Sequence, residues 1–297
     1  MQAQKVYDFH THAYQAPVAK IIMRHLEVGK RLETAREFFH LHPDHKAPTI
    51  EHLIAVSQAN GIDRTNLLLV GVKPGMLREL NEWGLKQREA HDNLSVLGAV
   101  HPNINEEALN NEIKWLRDHN FPGVKIQSVH QRMEALSQEA KSLYKKLADA
   151  GLFVLMDTGN YLKPGEDGYK YLTRPAMVAE ITKEFPDLRI IAAHLGGFMG
   201  WDESENYLVD KDFDNLWLDT AFMGSIVKYY KSQGQDRAEQ VKRILLRHRP
   251  DRLLFGTDIP YNNPTIELAF IRTLLADFPD LLQQIMWQNA ADLLGYN

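Results

Sequence analysis

The sequence predicts an α/β fold, a (β/α)8 barrel with an inserted helical segment after the first strand, and three observations lead to it. Short apolar runs alternate with longer segments of helical spacing along almost the whole chain. The runs are close to continuously apolar, which is typical of parallel strands covered by helices on both faces. The alternation has eight repeats, the number that closes into a barrel of about 250 residues. We therefore expect residues 1–297 to form one barrel domain.

Each predicted strand is a short run rich in aliphatic residues. In order, the runs are KVYDF (5–9), NLLLVG (66–71), SVLGAV (95–100), PGVKIQ (122–127), LFVLMD (152–157), RIIAAH (189–194), LWLDTA (216–221) and RLLFGT (252–257). The predicted helices are 49–60, 76–91, 105–119, 136–150, 174–185, 202–212, 235–248, 264–277 and 280–294. Two of them end at pairs that commonly stop a helix, Asn60-Gly61 and Ala150-Gly151.

An open, doubly wound sheet is the alternative architecture. Such a sheet normally carries a glycine-rich phosphate-binding turn after an early strand, and neither GxGxxG nor GxxxxGK[ST] occurs in the chain. The closed barrel is therefore the better prediction.

The segment from Ala13 to Pro48 is the main insertion in this barrel. It is too long for a structureless loop, and residues 18–40 show helical spacing interrupted at Gly29. Because the insertion follows a strand, it is expected at the carboxyl-terminal mouth, where barrel enzymes build their active sites. We interpret it as a partial lid, with an extra layer or a subunit contact at the rim as the alternative.

The composition excludes several classes of function. The chain is 44% hydrophobic and 25% charged, as in an ordinary folded domain, and its net charge of -5 comes without a basic stripe for nucleic acid. It has no cysteine, so any metal would be held by His, Asp or Glu. Neither a secretory signal nor an apolar run long enough to cross a membrane is present, so we expect a cytoplasmic location.

His10 and His12 end the first predicted strand in the motif DFHTH. Because side chains alternate along a strand, residues two apart point to the same side. A single histidine there would more often be a structural residue, but a His-x-His pair at a strand end is a recurring platform for metal ions. The pair predicts a metal site at the mouth of the barrel.

Two more candidates follow later strands. Asp258 comes after strand eight, which barrel closure places beside strand one, so this carboxylate is able to bind the metal and take a proton from water. Taken alone, an aspartate there would more often cap the next helix. His194 ends the sixth strand in IIAAHLGG, and the two glycines behind it allow backbone or substrate to approach closely. We expect the three side chains to converge.

The chain resembles the amidohydrolase superfamily, in particular its amidohydrolase-2 branch of metal-dependent hydrolases and aminocarboxymuconate-semialdehyde-decarboxylase-like enzymes. The segments that carry the resemblance are DFHTH, GVKI, VLMDTG, IIAAHLGG, LLFGTDIP and QQIMWQNAADLLG. The resemblance implies one divalent ion, usually Zn²⁺, bound by His10, His12, a residue ending strand five, and Asp258. It further implies that His194 binds the metal or positions the substrate.

The residue that ends strand five is Asp157, where the family usually has a histidine. Direct ligation by Asp157 would give two imidazoles and two carboxylates, a set that would also suit Mn²⁺. Alternatively, Asp157 orients a ligand and His194 binds the ion instead. We favour direct ligation. Lys125 stands near the lysine that bridges two ions in binuclear relatives, but a single ion is the expectation here, with Lys125 and Gln127 contacting substrate.

The loops at the predicted mouth carry cationic and aromatic side chains suited to a small organic anion. They are Lys73, His101, Asn103, Tyr161, Lys163, Arg174, Trp201, Phe222, Tyr261 and Asn262. Of these, Arg174, Trp201 and Tyr261 are predicted to bind substrate. The partner is therefore expected to be a small molecule, and a homo-oligomer is left open.

Three functions are compatible with these residues. The first is hydrolysis of a lactone, amide or ester by metal-activated water, with Asp258 taking the proton and His194 or a rim cation stabilising the oxyanion. The second is non-oxidative decarboxylation of an unsaturated or aromatic acid, with Asp258 or metal-activated water protonating carbon. The third is an inactive barrel that acts as a binding module, which only the Asp157 departure supports. We favour an enzyme, and hydrolysis over decarboxylation.

Overall fold

The computed structural model of the chain describes residues 4–20 and 48–296 and shows a parallel eight-stranded barrel. The strands are β1 (Tyr7–Thr11), β2 (Arg64–Leu68), β3 (Leu94–Ala99), β4 (Gly123–Ile126), β5 (Phe153–Met156), β6 (Ile190–Ala192), β7 (Leu216–Asp219) and β8 (Leu253–Leu254). They pair in sequence order from β1 to β8. The predicted fold class is confirmed.

Backbone contacts between the first and last strands bring the sheet round on itself. The Phe9 amide donates to Phe255 O at 2.8 Å, and the Asp258 amide donates to His10 O at 2.8 Å. Thr11 and Ile259 form a parallel bridge beyond the end of β8. The two edges of the sheet therefore meet, and the residues that follow β1 and β8 lie together at the carboxyl-terminal mouth of the barrel.

Helices follow the strands and cover the outside of the barrel. They are α1 (Ile50–Ala59), α2 (Leu77–Ala90), α3 (Glu106–Asp118), α4 (Ser128–Gln131), α5 (Gln138–Asp149), α6 (Pro175–Glu184), α7 (Trp201–Tyr207), α8 (Met223–Ser232), α9 (Ala238–Arg247), α10 (Pro264–Leu274), α11 (Pro279–Gln283) and α12 (Asn289–Leu294). A π-helical turn (Gln284–Gln288) joins the last two. The nine helices predicted between residues 49 and 294 have counterparts, while α4 and α8 were not predicted.

Two apolar layers hold the barrel together. One lies inside it, where residues such as Phe9, Phe153 and Trp217 fill the lower interior. The other lies between the strands and the helices and is built from the alternate strand residues, including Val154 and Ile190. Filling the lower interior with large side chains leaves the polar residues of the strand ends at the mouth.

Most of the predicted lid, residues 21–47, lies outside the described residues. Residues 16–20, which precede them, are helical. The lid therefore stays a prediction. Among the residues that the structure describes, no helix combines the length and the apolar character needed to cross a membrane.

Candidate metal centre and active site

The candidate residues of strands one, five, six and eight meet at the carboxyl-terminal mouth of the barrel. His10 belongs to β1, while Asp157 and His194 follow β5 and β6 after one and two residues. The imidazole ring centres of His10 and His12 are 5.4 Å apart, and those of His10 and His194 are 5.1 Å apart. The predicted convergence of these imidazoles is therefore present.

His10, His12 and Asp258 form a tight group of potential metal ligands. One ligand atom from each lies within 4.8 Å of the others, and all three residues are buried. The Asp258 Oδ1 atom is 3.7 Å from His10 Nε2 and 3.4 Å from His12 Nε2. Both imidazoles thus direct the same nitrogen at the same carboxylate oxygen.

Hydrogen bonds on the far side of each ring fix these orientations. His10 Nδ1 donates to Asp219 Oδ2 at 2.8 Å, and His12 Nδ1 donates to the Leu68 carbonyl at 3.2 Å. Because both partners only accept, each ring carries its proton on Nδ1 and leaves Nε2 bare. Burial lowers the pKa of His10 to about 4 and that of His12 well below its usual value. Both rings are therefore neutral, as metal ligands must be.

Asp258 is held in an unusual backbone conformation, with φ at 66°. Its Oδ1 is buried and accepts no hydrogen bond from any residue within 4–20 or 48–296. Burial raises the pKa of Asp258 to about 7, although His194 and Lys125 oppose the shift. Gly256 lets strand eight approach closely, because a Cβ there would lie 2.7 Å from the His10 Cβ.

His194 and Asp157 form a buried pair beside this group. His194 Nε2 is 3.4 Å from Asp157 Oδ1, while Gln127 Nε2 and the Tyr161 hydroxyl donate to Asp157 Oδ2 at 3.1 and 3.0 Å. Burial works against the charge on His194, but the bond to Asp157 and the nearby carboxylates raise its pKa. Burial also opposes the charge on Asp157, yet His194 and Lys125 lower its pKa well below the usual range. His194 Nε2 faces Asp157 Oδ1 and its Nδ1 faces the Ala221 carbonyl at 3.1 Å, so both ring nitrogens lie against acceptors and an imidazolium beside a carboxylate is favoured.

Lys125 reaches the centre of the site from β4. Its side chain is 1% exposed, and its Nζ finds no hydrogen-bond partner in the described part of the chain. Burial lowers the pKa of Lys125, while the surrounding carboxylates Asp157, Asp219 and Asp258 work in the opposite direction. A buried ammonium without a partner is costly, so it is suited to receive an anionic group from a ligand.

Aromatic rings line two sides of the site. The Phe198 ring lies 5.2 Å from His194, 5.7 Å from Tyr161 and 5.4 Å from Phe222, centre to centre. On the other side, the Tyr261 ring is 5.7 Å from His12, and its hydroxyl is hydrogen bonded to that of Tyr14. These two walls suit a flat, unsaturated ligand.

The remaining predicted substrate-binding residues are placed differently. Lys125, Gln127 and Tyr261 lie at the site, as described above. The Arg174 guanidinium instead lies over the Tyr169 ring at 4.6 Å, and Trp201 is buried with its ring 6.3 Å from Tyr230. No described contact brings Arg174 or Trp201 to the His10 group, so their binding role stays a prediction.

Sequence reasoning missed three residues of the site. Asp219 bonds to His10 although it was read only as part of an apolar strand, and its charge within LWLDTA was the available signal. Phe198 and Tyr14 stand in loops, where nothing local distinguishes an aromatic residue that lines a site from one that does not.

The group formed by His10, His12 and Asp258 fits a divalent cation. Two bare Nε2 atoms face one carboxylate oxygen that accepts no hydrogen bond from the described part of the chain, which is a set that a cation would satisfy. The bonds from His10 to Asp219 and from His12 to Leu68 are the outer contacts that commonly orient metal-binding histidines. Asp157 lies outside this tight group and bonds to His194, so direct ligation by Asp157 stays a prediction.

Solved structures similar to this chain share its fold at low sequence identity. A 5-carboxyvanillate decarboxylase from Sphingomonas paucimobilis is 14% identical with a TM-score of 0.70, covering 99% of this chain and 100% of the other. A dihydroxybenzoic acid decarboxylase from a Polaromonas species, with bound manganese and 2-nitroresorcinol, is 13% identical with a TM-score of 0.66, covering 98% and 97%. A probable 2-pyrone-4,6-dicarboxylic acid hydrolase from Acinetobacter baumannii is 13% identical with a TM-score of 0.58, covering 98% and 99%.

No curated protein sequence matches this chain at a significant level. The Amidohydrolase family model, by contrast, matches residues 8–296 and so covers all eight strands apart from Tyr7, the first residue of β1, together with every candidate residue described above. By name, two of the three structures above are decarboxylases and one is a probable hydrolase. The predicted family is confirmed: the chain belongs to the amidohydrolase family.

Proposed function

We propose that this protein is a metal-dependent non-oxidative decarboxylase of an unsaturated or aromatic carboxylic acid. The observation that carries the proposal is the position of Asp258, a buried carboxyl whose Oδ1 faces two imidazoles between two aromatic walls. From this position Asp258 is able to pass a proton to a carbon of a flat, unsaturated substrate held between the walls. This reverses our preference from the sequence, which placed hydrolysis ahead of decarboxylation.

In this proposal His10, His12 and Asp258 hold one divalent ion, with Asp157 as the candidate fourth ligand. The ion would supply positive charge that stabilises an anionic oxygen of the substrate. Mn²⁺ and Zn²⁺ are both compatible with imidazole and carboxylate ligands. The manganese found in the Polaromonas decarboxylase favours testing Mn²⁺ first.

The proton step is a replacement of CO2 by hydrogen at one carbon. The bond between that carbon and the carboxylate breaks, the electron pair stays on the carbon, and Asp258 donates the proton that forms the new C–H bond. The imidazolium of His194, held by Asp157 at 3.4 Å, lies beside the group and stabilises the negative charge that builds up before protonation. Solvent then returns a proton to Asp258.

Lys125 is proposed to bind an anionic group of the substrate. Its buried Nζ has no hydrogen-bond partner among residues 4–20 and 48–296 and lies among three carboxylates on the side of β4. An ion pair formed there on binding would be shielded from water and would compensate the cost of burying the lysine. Gln127 and Tyr161 then complete the polar lining through Asp157.

Hydrolysis is the second candidate, and one observation favours it. The free Oδ1 of Asp258 faces His10 and His12, which is where a general base would take a proton from an attacking water. The Acinetobacter neighbour named as a probable pyrone dicarboxylic acid hydrolase supports a reaction of this kind on a related fold. It is the least similar of the three structures by TM-score.

Product analysis separates the two reactions. The protein loaded with Mn²⁺, and separately with Zn²⁺, is given a panel of hydroxybenzoic acids and a panel of lactone carboxylic acids, in D2O and in H2¹⁸O. The proposal predicts CO2 release from an aromatic acid and one deuterium on the carbon that lost it. Turnover without CO2, with ¹⁸O incorporated into a new carboxylate, would establish the hydrolase instead. The variant Asp258→Asn serves as the inactive control in both media.

A further inference from the structure

Asp219 is a fully buried carboxylate at the end of β7 that bonds to two separate parts of the site. Its Oδ2 accepts from His10 Nδ1 at 2.8 Å. Its Oδ1 accepts from two backbone amides, those of His194 at 2.8 Å and Ala221 at 3.1 Å. One side chain therefore connects the first strand with the turns that follow β6 and β7.

This arrangement dictates which nitrogen of His10 carries the proton. A carboxylate has only acceptor oxygens, so the proton of the shared hydrogen bond must be on His10 Nδ1. His10 Nε2 is then unprotonated, and this is the atom that faces Asp258 Oδ1 at 3.7 Å. A neutral imidazole with the opposite tautomer would present an N–H to that position and would not bind a cation.

We infer that Asp219 is a positioning residue that fixes His10 in the Nδ1–H tautomer and so keeps its Nε2 open toward the ligand group. The part of this inference that concerns a metal ion rests on the proposed function. The assignment of the tautomer is independent of the proposed function, because it follows from the hydrogen bonds of the protein alone.

The variant Asp219→Asn tests this role because it replaces two acceptor oxygens by one acceptor oxygen and one donor NH2 group. Two backbone N–H groups point at Oδ1, so the amide oxygen of the asparagine is expected to stay there and accept from both. The NH2 group then faces His10, whose Nδ1 must accept. The proton of His10 moves to Nε2, and the ring no longer offers a lone pair to a cation.

Asp8→Asn is the matched control. Asp8 is also fully buried, and its Oδ1 accepts from the backbone amides of His10 and Thr257, at 3.2 and 3.0 Å. Its Oδ2, however, is bonded to the Thr257 hydroxyl and not to an imidazole. Because a hydroxyl is able to reverse its role and accept from an NH2 group, this substitution leaves the tautomer of His10 unchanged.

Two measurements on the full-length protein give the result. The first is ¹⁵N NMR of the histidine rings without metal, with His10 identified by the signal lost in His10→Gln. The second is the Kd for Mn²⁺ by competition with a fluorescent chelator. We expect Nδ1–H in the wild type and in Asp8→Asn, but Nε2–H in Asp219→Asn. Affinity for Mn²⁺ should fall about 10–100-fold in Asp219→Asn only, the usual effect of losing an outer contact of a metal ligand.

An unchanged tautomer in Asp219→Asn, or an equal loss of Mn²⁺ affinity in both asparagine variants, would overturn the inference. If Asp219→Asn does not fold, the wild-type spectrum still decides, because Nε2–H on His10 would be incompatible with the role assigned to Asp219. A wild type that shows the Nδ1–H tautomer but binds neither Mn²⁺ nor Zn²⁺ would reject the proposed metal site and leave the positioning role standing.

Discussion

His12 and Asp258 come from opposite ends of the chain, yet His12 Nε2 lies 3.4 Å from Asp258 Oδ1. Closure of the barrel produces this contact, because the Asp258 amide donates to the His10 carbonyl and the His12 amide donates to Ile259 O. The site therefore exists only in the fully closed fold. Its properties can be tested residue by residue.

Asp258→Asn should distinguish the role of Asp258 in binding the metal from its role in proton transfer. The asparagine keeps the size and one coordinating oxygen of Asp258 but cannot carry the reactive proton. We expect the variant to retain the ion, with some loss of affinity, and to lose kcat by about 10²–10⁴-fold, the usual contribution of general acid–base catalysis. Metal content and kcat measured on the same sample provide the check. Full occupancy with near-normal kcat would show that the proton comes from elsewhere, with His194 the next candidate.

Asp157→Asn should shift the pH dependence of activity. Asp157 raises the pKa of His194 and so keeps its imidazolium charged against the effect of burial. Removing that negative charge lowers the pKa of His194. The decline of activity at high pH should therefore begin, in the variant, about 1 pH unit or more below the pH at which it begins in the wild type. The pH profile of kcat/KM records this shift. If the variant instead loses its metal, Asp157 is a direct ligand, as the sequence first suggested.

Lys125→Met should weaken the binding of the transition state and so lower kcat/KM. The methionine fills a similar volume but cannot pair with an anion, and a lost charge-assisted bond corresponds to about 10–100-fold in kcat/KM. Lys141→Met is the control, because Lys141 pairs with Glu184 on the surface at 2.7 Å. An equal kcat/KM in the two variants would remove Lys125 from the binding site.

Glu267→Gln should change how stability depends on pH. Burial raises the pKa of Glu267 to about 7, although the Asn262 side chain and the Gly224 and Ser225 amides donate to it. The folded state thus binds this proton more tightly than the unfolded chain, so the contribution of Glu267 to stability is lost as pH rises from about 4.5 to 7, by about 3 kcal/mol.

The glutamine variant lacks this titration. Urea unfolding at pH 5 and at pH 8 should show that Glu267→Gln gains stability relative to the wild type on going to the higher pH. Parallel behaviour of the two proteins at both pH values would mean that Glu267 ionises normally in the fold.

The barrel was predictable because its elements carry their own signals. The strands are continuous apolar runs, and the helices α1, α3 and α5 begin at Thr49, Asn105 and Ser137, whose side chains accept from the first turn. Helix α8 was missed because it begins at Phe222 without such a side chain. Instead, the carboxylate of Glu267 in α10 accepts hydrogen bonds from the backbone amides of the first turn of α8, a contact that no local pattern reveals.

The site was predictable where residue type and strand position coincide, as at His10, His12, His194 and Asp258. It was less predictable where two carboxylates have different roles. Asp157 and Asp219 both end strands at the mouth, but one bonds to the imidazole of His194 and the other to that of His10. That distinction depends on barrel closure and on side-chain direction, which spacing along the chain does not specify.

The metal content of the purified protein tests the central claim most directly. Protein prepared without chelators, after growth in medium supplemented with Mn²⁺ or Zn²⁺, is measured by elemental analysis together with His10→Ala. We predict about one divalent ion per chain in the wild type and close to none in His10→Ala, with activity lost alongside the metal. A reproducible content near zero in the wild type would contradict the metal centre at His10, His12 and Asp258, and a content near two would require Lys125 to take part in a second site.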